Sequence, residues 1–234
     1  TLGTGQFCTN PGLILGIQGS SLNQFIEVLA TEIVAIDPGC MLHPNILGAY
    51  EANKEKAISQ KEVTLAADYS KAVNNNYAKQ AVATVTGTVF LANPQLHQEV
   101  FGPYSIIVQC ADQQQLEQIL LQLEGQLTGT LISDNNEAAK YPQVIAALQN
   151  RVGRIIFNGV PTGVEVCPSM VHGGPYPAST DSRFTAVGVS SIARWVRPFS
   201  YQDWPNELLP VALKNENPLG ILRLVNNHKT TDKI

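Results

Sequence analysis

Cysteine is scarce in this chain, and none of it is paired in sequence. Four cysteines, Cys8, Cys40, Cys110 and Cys167, are spread over 234 residues with no C-x-x-C pair and no histidine at metal-ligand spacing. That argues against a disulfide framework and against a zinc or other metal site, and for a reducing, cytoplasmic setting. Charge is sparse too, at 15% of residues with a net value of −4, and the basic residues are scattered. The sequence therefore offers no nucleic-acid footprint, and no such partner is expected. No apolar run approaches the ~18 residues of a membrane-spanning helix, so no membrane role is expected. The opening residues lack the basic-then-apolar pattern of a secretory leader. The chain begins at Thr1 rather than Met, just ahead of its most chemical stretch, so a piece of a longer chain is expected. Internal repeats are also missing.

What is present is apolar. Hydrophobic residues make up 44% of the chain, enough for one large domain or a domain with an appendage. The stretch TLGTGQFCTNP, residues 1–11, sets Cys8 among small and polar residues. Gly3 and Gly5 permit a sharp turn or a close approach. Gln6, Thr9 and Asn10 place hydrogen-bonding side chains around the thiol. A structural cysteine usually sits among aliphatic residues, whereas a nucleophilic one needs access and a polar setting.

Beyond that stretch, residues 12–18 form a short apolar run that predicts a buried strand. Ser21 with Gln24 predicts a helix start, with an apolar stripe from Leu22 to Ile33. His43 and Pro44 open a second helix running to about Ser59. Residues 61–69 and 104–110 predict strands, and 81–91, rich in β-branched residues, predicts an extended segment. Helices are expected at 113–123 and 135–149, and strands at 126–132 and 153–157. Alternating apolar strands and helices imply crossover units and a parallel sheet covered on both faces, an α/β fold. Ligands in such folds collect at the carboxyl ends of strands, here at Asn158. Residues 161–177 are irregular around His172-Gly173-Gly174-Pro175. Residues 187–196 predict an edge or docking strand. The proline-rich tail cannot form a core alone.

Two motifs far apart carry a family resemblance. Gly5-Gln6-Phe7-Cys8-Thr9 resembles the cysteine motif of the aldehyde dehydrogenase superfamily, and Glu99-Val100-Phe101-Gly102-Pro103 resembles its downstream acidic-phenylalanine motif. Their order and spacing, and the strand ending in Asn158 before a Gly-Gly loop, are similar to that family's catalytic half. GRIIFNGVPTGVEVCPSMVHGGPYPAS, TDSRFTAVG and RPFSYQDWPNELLP look most like the 2,5-dioxovalerate (α-ketoglutaric semialdehyde) dehydrogenases and the related NADP-dependent fatty aldehyde dehydrogenases.

The resemblance implies a three-layer α/β/α catalytic domain with a mostly parallel sheet over residues 1–186, then a C-terminal arm over 187–234 for docking or oligomerisation. It implies that Cys8 attacks the aldehyde carbon to give a thiohemiacetal and then a thioester, its own N–H serving as an oxyanion donor. Glu99 would hold the nicotinamide ribose and Phe101 would wall the nicotinamide. Phe7, Asn158, His172 and Gly173 would line the substrate pocket. The cofactor would be NADP or NAD, with NADP favoured; the substrate would be a small aldehyde, and the full-length protein a homo-oligomer. In the family the dinucleotide-binding domain, the general base and the second oxyanion donor precede the cysteine. Gly3-Thr4-Gly5 is not a dinucleotide fingerprint. The expectation is a catalytic half that lacks its cofactor domain and cannot oxidise 2,5-dioxopentanoate to 2-oxoglutarate alone.

Alternatives remain at this point. One is a non-catalytic assembly fragment, and another a long-chain fatty aldehyde dehydrogenase. A third is a thiol hydrolase built on Cys8, which needs a histidine partner that no sequence feature nominates. His97 is expected at the surface and His228 in solvent. Arg154 and Arg183 are read as exposed salt-bridge formers, with an acidic substrate as their other possible partner.

Overall fold

The structure, a computed structural model, describes residues 2–161 and 163–234. Thr1, on which the chain opens, and Thr162, inside the resembling stretch after Phe157, lie outside the described residues. The chain separates into two compact units, one running through Arg194 and the other Trp195–Ile234.

The first unit runs β1 (Leu13–Ile17), α1 (Ser20–Ala35), β2 (Gly39–Cys40), α2 (Pro44–Ile58), β3 (Thr64–Asp68), β4 (Tyr77–Ala78), β5 (Ala81–Thr86), α3 (Gly87–Ala92) and β6 (Tyr104–Cys110). It continues with α4 (Gln113–Gln122), β7 (Gln126–Leu131), α5 (Asn135–Ala138), α6 (Pro142–Gln149) and β8 (Val152–Phe157). Its main sheet has the order β1-β6-β5-β3. The β1–β6 and β6–β5 pairs are parallel, with Leu13 opposite Ile106 and Ile106 opposite Ala83, while β3 is antiparallel to β5. A separate parallel pair, β7 with β8, and a short antiparallel pair, β2 with β4, complete it.

The strand period explains the layers. Ala81, Ala83 and Val85 alternate with Val82, and Ile106 and Val108 alternate with Ile107. The first set packs with Tyr50, Phe90 and Ile119 from α2, α3 and α4. Val82 and Ile107 face the other way, onto the stripe of Leu22, Ile26, Leu29 and Ile33 on α1. Helices thus cover both faces, the α/β/α arrangement that buried strands require. A third cluster, Leu120 with Val144 and Ala147, ties α4 to α6.

Four local expectations fail, each for a physical reason. The β1–α1 turn is so short that Ser20 and Ser21 fall inside the first helical turn; Gly19 takes the cap position without a side-chain bond. The extended segment expected over 81–91 stops at Thr86, whose Oγ1 accepts from Val89 N and caps α3. There, complete burial of Phe90 overrides β-propensity. The helix expected over 135–149 is cut in two because Pro142 lacks an N–H and disfavours a helical Tyr141. Residues 189–194 form a 3-10 helix, not a strand. His97 also departs from the surface position expected of it. It is half-buried and stacks on Phe90 at a centroid distance of 4.3 Å, with Nε2 2.8 Å from Phe90 O.

The second unit holds a hairpin, β9 (Arg223–Val225) with β10 (His228–Thr230). Asn226 and Asn227 turn it with φ of 50° and 68°, the left-handed pair that suits a two-residue hairpin loop. Its one buried side chain is Asn217, which holds Ile221 and Thr231 by three hydrogen bonds. Arg223 binds the carbonyls of Lys214, Asn215 and Asp232. Among the described residues, no helix is long and apolar enough to cross a membrane.

Candidate active site

The loop that carries Cys8 is fixed by backbone, not by bulk. Gly3, Thr4 and Gly5 are left-handed in succession, with φ of 55°, 58° and 66°. At Gly5 a side chain has no room: a Cβ there would lie 2.3 Å from Gly102 C and O. Two glycines therefore let the cysteine motif and the Phe101 motif touch main chain to main chain. Asn10 Nδ2 adds a bond to Gly102 O at 3.2 Å. Gln6 accepts from Leu42 N at 2.8 Å and donates to Gly3 O at 2.9 Å. Gln6 and Asn10 thus frame the loop rather than touch the thiol. Cys8 itself is exposed, and among the described residues its N–H has no acceptor.

From the opposite side comes His172. Its Nε2 lies 3.5 Å from Cys8 Sγ. The histidine backbone is clamped, with its N–H donating to Thr185 Oγ1 at 2.8 Å and its carbonyl accepting from Ala186 N at 2.9 Å. Its Nδ1 is buried with no partner among the described residues. A proton on Nδ1 would be an orphaned buried donor, so the favoured tautomer carries it on Nε2, aimed at the sulfur. Sequence reasoning nominated no histidine for Cys8. The HGGP loop was the available signal, but the separation of 164 residues concealed the pairing.

The other thiols are less apt. Burial pushes Cys110 up to about 11, with the nearby Asp112 carboxylate adding to it, so it stays protonated. Cys40 Sγ is exposed but directed to Met41 O at 3.4 Å. Cys167 is half-buried, with Sγ 3.6 Å from Ser169 Oγ.

Two cavities flank this region. One, of about 250 Å³, is lined by Phe101 with Asn45, Ile46, Ala49, Tyr50 and Asn53. Tyr50, which the sequence did not single out, lies buried beneath the Phe101 turn and donates its hydroxyl to Lys79 O at 2.6 Å. Glu99, two residues before Phe101, is exposed and belongs to no ion pair among the described residues. A carboxylate acceptor two residues from a mostly apolar cavity suits ribose hydroxyls and a flat ring. The second cavity, of about 380 Å³, lies along β8 and the segment to Met170. Phe7 is 43% exposed, and its ring covers Gly3. Gly173 is buried against Gly153. Asn158 lines neither cavity; its amide accepts from Ser133 N at 2.9 Å and donates to Ser133 O at 2.6 Å. Among the described residues no group of His, Cys, Asp and Glu could hold a metal ion.

No protein-family model matches the chain. It is 43% identical over 96% of its length to α-ketoglutaric semialdehyde dehydrogenase 2 of Azospirillum brasilense, covering 43% of that protein. It is 40% identical over 96% of its length to α-ketoglutaric semialdehyde dehydrogenase of Acinetobacter baylyi, again covering 43% of it. The chain thus spans less than half the length of the curated relatives it matches. Among solved structures, succinic semialdehyde dehydrogenase of Streptococcus pyogenes in complex with NADP+ superposes with a TM-score of 0.59 at 20% identity, over 73% of this chain and 37% of that one. Sequence likeness to these two semialdehyde dehydrogenases runs along nearly the whole chain, and its fold is that of solved aldehyde dehydrogenases.

Proposed function

We propose that this chain is the thiol-bearing part of an NAD(P)-dependent semialdehyde dehydrogenase that converts 2,5-dioxopentanoate to 2-oxoglutarate. The observation that carries this reading is the placement of an exposed Cys8 between the Phe101 turn and His172. The names of the two curated relatives supply the aldehyde.

On these residues the chemistry runs as follows. His172 stabilises the Cys8 thiolate through Nε2–H, and the sulfur adds to the aldehyde carbon. The unoccupied N–H of Cys8 donates to the oxyanion of the thiohemiacetal. Glu99 would hold the nicotinamide ribose, and Phe101 would wall the ring. When bound, the dinucleotide supplies the hydride acceptor. The acyl group then rests on Cys8 as a thioester until water releases the acid.

The adenosine end, the general base and the second oxyanion donor are assigned to a cofactor domain outside these 234 residues, so turnover by this chain alone is not expected. NADP is favoured over NAD by the resemblance. The tail's exposed Trp195, Phe199 and Trp204 support assembly with further copies. The four free thiols suit a reducing compartment such as the cytoplasm. A cofactor-free thiol hydrolase is disfavoured, because nothing orients His172 at Nδ1 as such a base requires.

Alkylation of the purified chain tests this reading. Iodoacetamide should label Cys8 ahead of Cys40 and Cys167. 2,5-dioxopentanoate should protect Cys8, and Cys8→Ser should abolish the fast phase. Equal labelling of all accessible thiols without protection refutes the nucleophile. Dinucleotide reduction by these residues alone refutes the need for a second domain.

A further inference from the structure

Several cations of the first unit make no ion pair among the described residues, and Arg154 among them is drawn partly out of water. Arg154, on β8, is half-buried and makes no ion pair among the described residues. Both of its Nη atoms reach Gly163 O at 3.4 Å, and Nη1 lies 3.3 Å from Met170 Sδ. Its Nε is buried with no partner among the described residues. The exposed salt-bridge role expected from sequence therefore falls to Arg183, which holds Asp181, and not to Arg154. Arg151 is satisfied by the carbonyls of Leu120 and Leu121.

A guanidinium stays charged and offers five N–H donors in a rigid fork. Drawn partly out of water, and bonded among the described residues only to a carbonyl and a thioether, it keeps donors that an anion could use. Arg154 lines the cavity of about 380 Å³, whose walls include Ile156, Val160, Val164 and Met170, with Glu165 as a second charged residue. An unpaired guanidinium beside apolar side chains suits a short aliphatic chain ending in a carboxylate.

This cavity belongs to the same corner as the thiol. A Cβ on Gly153 would fall 1.9 Å from Gly173 O, so β8 and the histidine loop meet backbone to backbone. Arg154 follows Gly153, and His172 precedes Gly173. Their Cα atoms are therefore no more than about 13 Å apart, from standard chain dimensions. His172 touches Cys8 and Arg154 touches Met170, two residues before His172. A five-carbon chain spans on the order of 6 Å, which suits a substrate with its aldehyde at Cys8 and its far end toward the guanidinium.

We infer that Arg154 is the specificity residue that reads the carboxylate end of the substrate, with the β8 cavity as its subsite. This rests on the nucleophile assigned above. Glu165 lines the same cavity without pairing with Arg154 and opposes an incoming anion. The subsite selects carboxylate-terminated aldehydes over long alkyl ones.

The test uses glutarate, a five-carbon dicarboxylate, titrated into the 234-residue chain and followed by NMR, with glutaramide as the uncharged control. Saturable glutarate binding is expected. Arg154→Gln should weaken it at least tenfold, roughly the worth of one charge-assisted hydrogen bond. Arg154→Lys should lose less, and Glu165→Gln should bind more tightly. Bound glutarate should also slow alkylation of Cys8 by iodoacetamide. Wild-type affinity in a folded Arg154→Gln, no binding at all, or binding that leaves Cys8 alkylation unchanged would each overturn the inference. If glutarate binds through Arg154 and shields Cys8, yet free Cys8 reacts no faster than Cys40, the subsite stands and the nucleophile reading falls.

Discussion

The sulfur of Cys8 lies 3.5 Å from Nε2 of His172, two groups joined across 164 residues of chain. An imidazole N–H at that distance donates to the sulfur and assists its attack as a nucleophile. His172→Ala should therefore slow alkylation of Cys8 about tenfold near neutral pH, in line with losing one hydrogen bond to a charged group. Mass spectrometry of the labelled chain reads the rate. An unchanged rate would show that the contact carries no chemistry.

Gly5 is the hinge of the thiol loop. Gly5→Ala must hold a Cβ at a φ of 66° and 2.3 Å from Gly102 C. The left-handed penalty and the overlap together predict a loss of about 2–4 kcal/mol. Denaturant unfolding measures it, and the fast alkylation of Cys8 should disappear with it.

Core and tail should respond differently to truncation. Ile107 is fully buried between the sheet and α1, so Ile107→Ala should cost about 2–5 kcal/mol. Trp204 is 51% exposed, and Trp204→Ala should stay within about 0.5 kcal/mol. Thermal melts of the two variants compare them directly.

Asn217 should matter more than any aromatic of the tail. Its Nδ2 donates to the carbonyls of Ile221 and Thr231 at 2.9 and 2.7 Å, and its Oδ1 accepts from Ile221 N at 3.2 Å. It also holds a φ of 48°. In Asn217→Ala, limited proteolysis should cut within residues 195–234 at least tenfold faster. Cleavage at the wild-type rate would assign the tail's order to something else.

Alkaline stability should carry a Cys110 component. Burial and the Asp112 carboxylate raise this thiol from 9.0 to about 11. A raised pKa means that the folded state binds the proton more tightly. The contribution is complete below pH 9 and is lost as pH rises toward 11. The melting temperature should fall over that window, and less steeply in Cys110→Val. Burial also raises Tyr104, to about 12, which adds its own decline at higher pH.

Much of this was legible in the sequence because it is local. The apolar run Ile106–Val108 and the stripe from Leu22 to Ile33 pointed to strand and helix, since a strand covered on both faces is continuously apolar and a helix is striped on its buried side. His43 was legible as a helix start, and its Nδ1 accepts from Asn45 N at 3.1 Å. The thiol loop was legible from glycine spacing, though not the reason for it, which is the contact of Gly5 with Gly102. What was not legible is tertiary. Thr86 to Ala92 follows the burial of Phe90 against its own propensity. The pairing of His172 with Cys8 and the missing anion at Arg154 depend on which loops meet after folding. A guanidinium without an ion pair among the described residues looks, in sequence, like any other arginine.

The tail closes on polar contacts. Trp195, Phe199, Trp204 and Leu208 keep most of their surface in water, and Asn217 alone is buried. Heat capacity rises on unfolding in proportion to newly hydrated apolar surface. Melting of residues 195–234 would hydrate little of it. Calorimetry would register that event as enthalpy of broken hydrogen bonds with almost no step in baseline, and its stability would follow a nearly straight line in temperature where that of the sheet follows a dome.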